Sequence, residues 1–265
     1  MNQSQRRQYL IAELLSEKPS YGNMRIPKES DAQRQLLRSL MNVRPAAPVS
    51  KEFEKIQDEY LKEENTAKGI VTISDMEEYE KGIYIWQGDI TRLQVGAIVN
   101  AANSGMTGCY QPCHNCIDNC IHTYAGIELR NFCDSMMREQ AGQSGGRYEE
   151  PTGQARITPA FNLPCDYVIH TVGPIVQGNL TNEHERLLES SYQSCLEVAE
   201  KNRIHSIAFC CISTGVFGFP NQRAAEIAVQ TVRRFKKEKD SDIKVIFNVF
   251  KEKDLAIYED LLCKR

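Results

Sequence analysis

The spacing of apolar positions changes near residue 69. Before it, Leu36, Leu37, Leu40 and Met41 recur at helical spacing, and the breakers Pro19, Gly22, Pro27, Pro45 and Pro48 predict three helices, over 9–17, 31–42 and 51–64. Such an apolar face needs a covering surface, and packing within the chain is the plain expectation. From Gly69 onward, short β-type runs alternate with amphipathic stretches. Strands are expected over 70–73, 83–87, 97–101, 167–172, 206–213 and 244–250, and helices over 118–140, 182–202, 221–239 and 253–263. The run Ile207-Ala-Phe-Cys-Cys-Ile212 is apolar throughout, as a strand covered on both faces requires. This pattern predicts a three-layer α/β domain over 69–265, preceded by a helical extension over 1–68, with ligands at the carboxyl ends of the strands.

Composition narrows the function classes. The chain has 265 residues, 41% of them hydrophobic, enough for a full core. With 32 Lys and Arg against 35 Asp and Glu, the net charge of −3 argues against non-specific binding to nucleic acid or to an anionic membrane. Arg6 and Arg7 precede a short apolar run, but Glu13 interrupts it and no small-residue cleavage site follows, so no secretory signal is expected. No uncharged run approaches the ~20 residues of a membrane span. A cytoplasmic protein is the expectation. In that compartment ten cysteines, five of them (Cys109, Cys113, Cys116, Cys120 and Cys133) crowded together, point to metal or catalysis before disulfides.

The expected strand ends are polar, small and glycine-rich. They carry Gly88-Asp89-Ile90-Thr91, then Asn100-Ala-Ala-Asn103-Ser104-Gly105, then His170-Thr-Val-Gly173-Pro174, then Ser213-Thr214-Gly215-Val216-Phe217-Gly218-Phe219-Pro220. The last of these opens a helix. Unpaired backbone amides at a helix N-terminus favour an anion, and a diphosphate suits the length of this loop. Neither G-x-G-x-x-G nor G-x-x-x-x-G-K-[ST] is present, so Rossmann and P-loop sites are not supported.

These motifs, in this order and together with Ile117-Asp118-Asn119-Cys-Ile-His-Thr-Tyr-Ala-Gly, resemble those of macrodomains, the ADP-ribose-binding modules. The resemblance covers about 69–265 and implies a mixed sheet between helices, a three-layer α/β/α fold, with a cleft for ADP-ribose. It implies that Asp89, with Ile90 beside it, meets the adenine, and that Ser213, Thr214, Gly215, Val216 and Phe217 hold the phosphates. It further implies that Ile117, Asp118 and Asn119 line the cleft, while Asn103 and Asp118 face the distal ribose as catalytic residues. Where the hydrolase branch usually carries a glycine-rich run, this chain reads Gly108-Cys109-Tyr-Gln-Pro-Cys113-His114-Asn-Cys116-Ile117-Asp118. That segment, and the helical extension, are similar to the zinc-containing macrodomains of bacteria and fungi, which implies one zinc ion held by Cys109, His114 and Cys116. The implied activity is a hydrolase that removes mono-ADP-ribose from protein side chains, most plausibly Asp or Glu, reversing a sirtuin-like ADP-ribosyltransferase. A lipoyl-carrier protein, glycine-cleavage H-like, is the implied partner beside ADP-ribose and the modified protein.

The residues carry their own argument about zinc. Two thiolates and an imidazole suit Zn(II) and leave the fourth tetrahedral position open, as catalytic or substrate-binding sites do. Two thiolates also cancel the ion's formal charge, so gripping ribose hydroxyls suits it better than strong activation of water. Water is then left to Asp118. The plain alternatives remain: Cys113 or Cys120 completing a structural four-ligand site, Asp118 as a helix cap, Asp89 as a turn residue, and His122 and His170 as packing residues. Phe217 or Phe250 could stack on the ligand or simply fill space. The competing functions are a non-catalytic ADP-ribose reader and an O-acetyl-ADP-ribose deacetylase.

Overall fold

The computed structural model describes residues 1–263. Three helices come first, α1 (Gln3–Ser16), α2 (Ser30–Val43) and α3 (Lys51–Ala67). α1 starts at Gln3 rather than residue 9 because polar groups begin it: the Asn2 side chain accepts from the Gln5 amide, and the Asn2 amide donates back to Gln5 Oε1. Leu37, Leu40 and Met41 are buried against Leu10, Ile11, Leu14, Phe53, Ile56 and Tyr60, with half-buried Leu36 at the edge. The apolar face noted in the sequence therefore packs within the chain.

A seven-stranded sheet follows: β1 (Glu77–Glu80), β2 (Ile83–Gln87), β3 (Ala97–Ala101), β4 (Ala155–Pro159), β5 (Tyr167–Thr171), β6 (Ser206–Phe209) and β7 (Lys244–Val249), in the order β1-β2-β7-β6-β3-β5-β4. The two edge strands run antiparallel to their neighbours and the five between are parallel, so the sheet is mixed. Five helices, α4 (Ile117–Ala125), α5 (Ile127–Gln143), α6 (Asn182–Lys201), α7 (Asn221–Lys239) and α8 (Glu252–Cys263), complete the three-layer α/β/α architecture. Ile83, Ile98, Val99, Ile169, Ile207, Val245 and Phe247 form the middle of the main core. Among the described residues no helix is long and apolar enough to cross a membrane.

Four departures from the sequence reading have physical causes. Residues 70–73 are not a strand, since Val71 makes only an isolated parallel bridge to Leu93 before a 3-10 turn at Ile73–Asp75. The helix expected over 118–140 is two helices, broken at Gly126, whose φ of +102° only glycine adopts readily. β1 and β4 escape the pattern because edge strands need no apolar run; one is Glu-Glu-Tyr-Glu and the other ends in proline. β6 stops at Phe209, and the chain turns at Ser213 with φ +64°.

Candidate active site

The five parallel strands direct their carboxyl ends to one edge of the sheet. β3 lies between β6 and β5, so the loops holding Asn103, Gly173 and Ser213 leave adjacent strands.

Asp118 sits within the first turn of α4, not at its cap. The cap is Cys116, whose Sγ accepts from the Asn119 amide at 3.4 Å. The Asp118 carboxylate is 5% exposed. Its Oδ1 accepts from Asn100 Nδ2 at 2.8 Å and its Oδ2 from Asn103 Nδ2 at 3.2 Å. Burial pushes this carboxyl up to about 6, against the pull of Asn100, Arg130 and Asn103. Asn103 also donates to the Gly108 carbonyl and accepts from the Gly105 amide, which fixes its amide orientation.

Two neutral imidazoles back this group. His170 is fully buried, with Nδ1 3.1 Å from Asn100 Nδ2 and Nε2 3.0 Å from Thr158 Oγ1, and burial pushes it down to about 3. His122 Nε2 lies 3.6 Å from Asp118 Oδ1, beyond hydrogen-bond reach. Burial holds His122 far below its ordinary value, and neither ring nitrogen has a partner among the described residues. Both are thus packed residues around Asn100 and Asp118, as their strand-end and helix-turn positions suggested.

The donor atoms of Cys109, His114 and Cys116 lie within 4.8 Å of one another, with Cys109 Sγ 3.6 Å from His114 Nδ1. A tetrahedral ion with ordinary Zn–S and Zn–N lengths separates such atoms by about 3.5 Å, so this donor set fits zinc by chemistry and by span. Cys113 and Cys120 stand apart from it. Cys113 Sγ is 3.2 Å from Ser39 Oγ and donates to the Gln35 carbonyl, and Cys120 Sγ lies 3.6 Å from Arg38 Nη2. A second trio, His122, Cys133 and His170, is as close together, but both His170 nitrogens are engaged and burial pushes the Cys133 thiol up to about 12. All ten cysteines are free thiols.

The loop after β6 has the features of an anion cradle. Among the described residues, the amides of Gly215, Val216 and Phe217 have no intramolecular acceptor, and the buried Ser213 hydroxyl has no partner. The loop is held open by bonds from the Phe219 amide to the Ser213 carbonyl and from the Val176 amide to the Phe217 carbonyl. Thr214 turns back to the Cys211 carbonyl, Val216 is 82% exposed and Phe217 is half-buried. Gly173 is required beside this loop, since a Cβ there would stand 2.1 Å from Ser213 Oγ.

At the end of β2, Asp89 both shapes a turn and faces a cation. Its Oδ1 accepts from the Thr91 amide and hydroxyl, while Oδ2 lies 3.9 Å from Lys68 Nζ. Ile90 is buried in the core and Ile117 is half-buried. Asn119 is fully buried, its side-chain amide donating to the Cys109 and Gln111 carbonyls, so its side chain braces the loop that carries Cys109 and His114. Phe250 lies just past β7 and is 75% exposed.

Sequence reasoning missed four residues here. Asn100 had a visible signal, a polar residue closing an otherwise apolar strand. Arg38, Lys68 and Arg130 had none, because their partners are 21 to 89 positions away. Lys68 comes from the end of α3, stacks over the Tyr124 ring, and burial pushes its ammonium down to about 8.

The family profile described as Macro domain matches residues 99–228. A protein named protein-ADP-ribose hydrolase from Treponema medium is 56% identical over 99% of this chain and 100% of its own length. A protein of the same name from Staphylococcus aureus (strain MSSA476) is 43% identical, covering 96% of this chain and 94% of its own. Among solved structures, the Oceanobacillus iheyensis macrodomain with ADP matches with a TM-score of 0.61 at 38% identity, over 71% of this chain and 94% of that one. The Trypanosoma brucei macrodomain in complex with ADP-ribose matches with a TM-score of 0.65 at 29% identity, over 85% and 94%.

Proposed function

This chain belongs to the macrodomain family, and from that premise we propose that it is a zinc-dependent hydrolase that releases mono-ADP-ribose from modified protein side chains. The observation that carries the reading is the setting of Asp118: a buried carboxylate held by two asparagine amides, two residues past Cys116 in the metal-ligating trio. A reader of ADP-ribose has no use for such a base. The relatives that share the whole chain are named as protein-ADP-ribose hydrolases, which supports the same substrate class.

The roles follow the geometry. Asp89 offers a carboxylate for the adenine amino group. The amides of 215–217 and the Ser213 hydroxyl receive the diphosphate, which places the distal ribose toward Asn103 and Asp118. Asp118 accepts a proton from the water that replaces the side-chain linkage, and Asn100 and Asn103 keep the carboxylate in one orientation. Cys109, His114 and Cys116 would hold the zinc ion, which supplies a Lewis-acidic contact for ribose hydroxyls. The substrate is an Asp- or Glu-linked ADP-ribosyl group set by a sirtuin-like transferase, on a protein such as a lipoyl carrier of the glycine-cleavage H type, in the cytoplasm. The 69–265 segment is the ADP-ribose-binding domain, and 1–68 its helical extension.

The test is turnover of protein-linked ADP-ribose and of O-acetyl-ADP-ribose, with and without complete demetallation checked by metal analysis. Release of ADP-ribose from protein, lost on demetallation, is expected. Turnover that survives demetallation contradicts the zinc role. Binding without turnover makes the chain a reader, and turnover of the acetyl ester alone makes it a deacetylase.

A further inference from the structure

The segment that carries the metal-ligating trio has almost no structure of its own. Among the described residues, one backbone hydrogen bond closes within residues 108–116, from the His114 amide to the Gln111 carbonyl at 3.3 Å. Cys113, at its middle, has a φ of +51°, a conformation that costs a non-glycine residue free energy unless neighbours hold it. The bonds that fix this loop come from outside it, and α2 supplies a large share of them.

We propose that α2 is a working part of the metal site, with Arg38 as the positioning residue that preorganises two of the three ligand residues, Cys109 and His114. This rests on the zinc reading above. The guanidinium of Arg38 donates from Nη2 to the His114 carbonyl at 2.6 Å and to Asn119 Oδ1 at 3.0 Å. The first bond fixes the backbone of one ligand. The second locks the Asn119 side chain, whose Nδ2 holds the Cys109 carbonyl at 3.3 Å. One side chain of the N-terminal helices thus reaches the surroundings of Cys109 and His114 together. One turn on, Asn42 Oδ1 accepts from the Cys113 amide at 2.9 Å and holds the strained residue in place.

The energetic argument is preorganisation. Three ligands on a loop of eight residues must be gathered before a cation is gripped, and whatever ordering the protein has done in advance appears as affinity. Groups that hold a ligand without touching the metal typically contribute about 10- to 100-fold in metal affinity. The extension over 1–68 is therefore coupled to the site: α2 packs its apolar face on α1, in a core shared with α3, and turns Arg38, Ser39 and Asn42 to the loop.

The experiment uses the full chain and the variants Arg38→Ala, Arg38→Lys and Asn42→Ala. Zinc affinity is measured by competition with a chromogenic chelator, and amide hydrogen exchange of 109–116 is followed in the metal-free proteins. Arg38→Ala is expected to hold zinc about 10- to 100-fold more weakly and to exchange faster at the loop amides, with Arg38→Lys between it and the wild type. Restoration of turnover by excess zinc is expected in each variant that folds. If Arg38→Ala fails to fold, Arg38→Lys and Asn42→Ala are judged by the same criterion. Wild-type zinc affinity in the folded variants, even with a lowered melting temperature, overturns the proposal and leaves the zinc reading standing. A wild-type chain that takes up no zinc overturns both.

Discussion

Arg130 holds together the C-terminal end of α2 and the loop after β3, and its removal has a calculable effect. Arg130 is 4% exposed, pairs with no carboxylate among the described residues, and donates from Nη1 to the carbonyls of Met41, Asn42 and Arg44 at 2.9, 2.8 and 2.6 Å. These acceptors lie at the C-terminal end of α2, where a helix leaves its last carbonyls unpaired and where a cation is favoured by the helix dipole. Residue 45 is proline, so the usual donor for the Met41 carbonyl does not exist. Arg130 Nε also donates to the Thr107 carbonyl at 2.7 Å, which ties α2 to the start of the loop that carries Cys109, His114 and Cys116. In Arg130→Met the stem still packs but at least four buried carbonyls lose their donor. At roughly 1–3 kcal/mol for each orphaned group, less the relief of no longer burying a guanidinium, the net loss is about 3–5 kcal/mol. For a chain of this size that lowers the melting temperature by roughly 6–20 °C. Thermal unfolding followed by circular dichroism measures it directly. A melting temperature within about 2 °C of wild type would mean instead that water or a backbone shift satisfies those carbonyls.

Two further outcomes follow from the structure. Gly173→Ala places a Cβ 2.1 Å from Ser213 Oγ and 2.7 Å from Ile212 Cγ2, so the anion loop must shift; ADP-ribose affinity by calorimetry should fall about 10-fold or more, and unchanged affinity would remove Ser213 from the site. Glu128, hydrogen-bonded by Gln57 at 2.6 Å, is pushed up to about 7 by burial from an ordinary value of 4.5. Its folded-state value is the higher, so its contribution is full below about 4.5 and is lost as pH rises through 7. Wild type should therefore lose melting temperature relative to Glu128→Gln between pH 5 and pH 8, and an equal difference at both pH values would contradict this.

Much of the architecture was written in local pattern. β2 and β3 fall at their expected residues, and α6 to α8 within a residue or so at each end, because buried parallel strands and amphipathic helices are repetitive in composition. The edge strands were not legible because nothing covers them on one side. The break at Gly126 was not legible because a lone glycine in a helical pattern is ambiguous until its φ is known. In the candidate site, the nearness of Asn103 to Asp118 and of Cys109 to His114 and Cys116 was legible because all five fall within 16 residues of sequence. Asn119 is a cleft residue only through the family resemblance, and the structure shows its side chain bonded to the Cys109 carbonyl and Arg38, partners no local pattern marks. Arg38, Lys68 and Arg130 belong to long-range packing, which no local pattern records.

In the proposed function Asp118 and the trio of Cys109, His114 and Cys116 divide the labour. The most direct test of that division measures bound zinc and release of ADP-ribose from a modified protein in the same samples of wild type, Asp118→Ala and Cys109→Ser. Asp118→Ala should keep its zinc and lose turnover by roughly 10²–10⁴-fold, the usual contribution of a positioned base, while Cys109→Ser should lose zinc and turnover together. Loss of zinc from Asp118→Ala, or full turnover by zinc-free Cys109→Ser, would contradict the account.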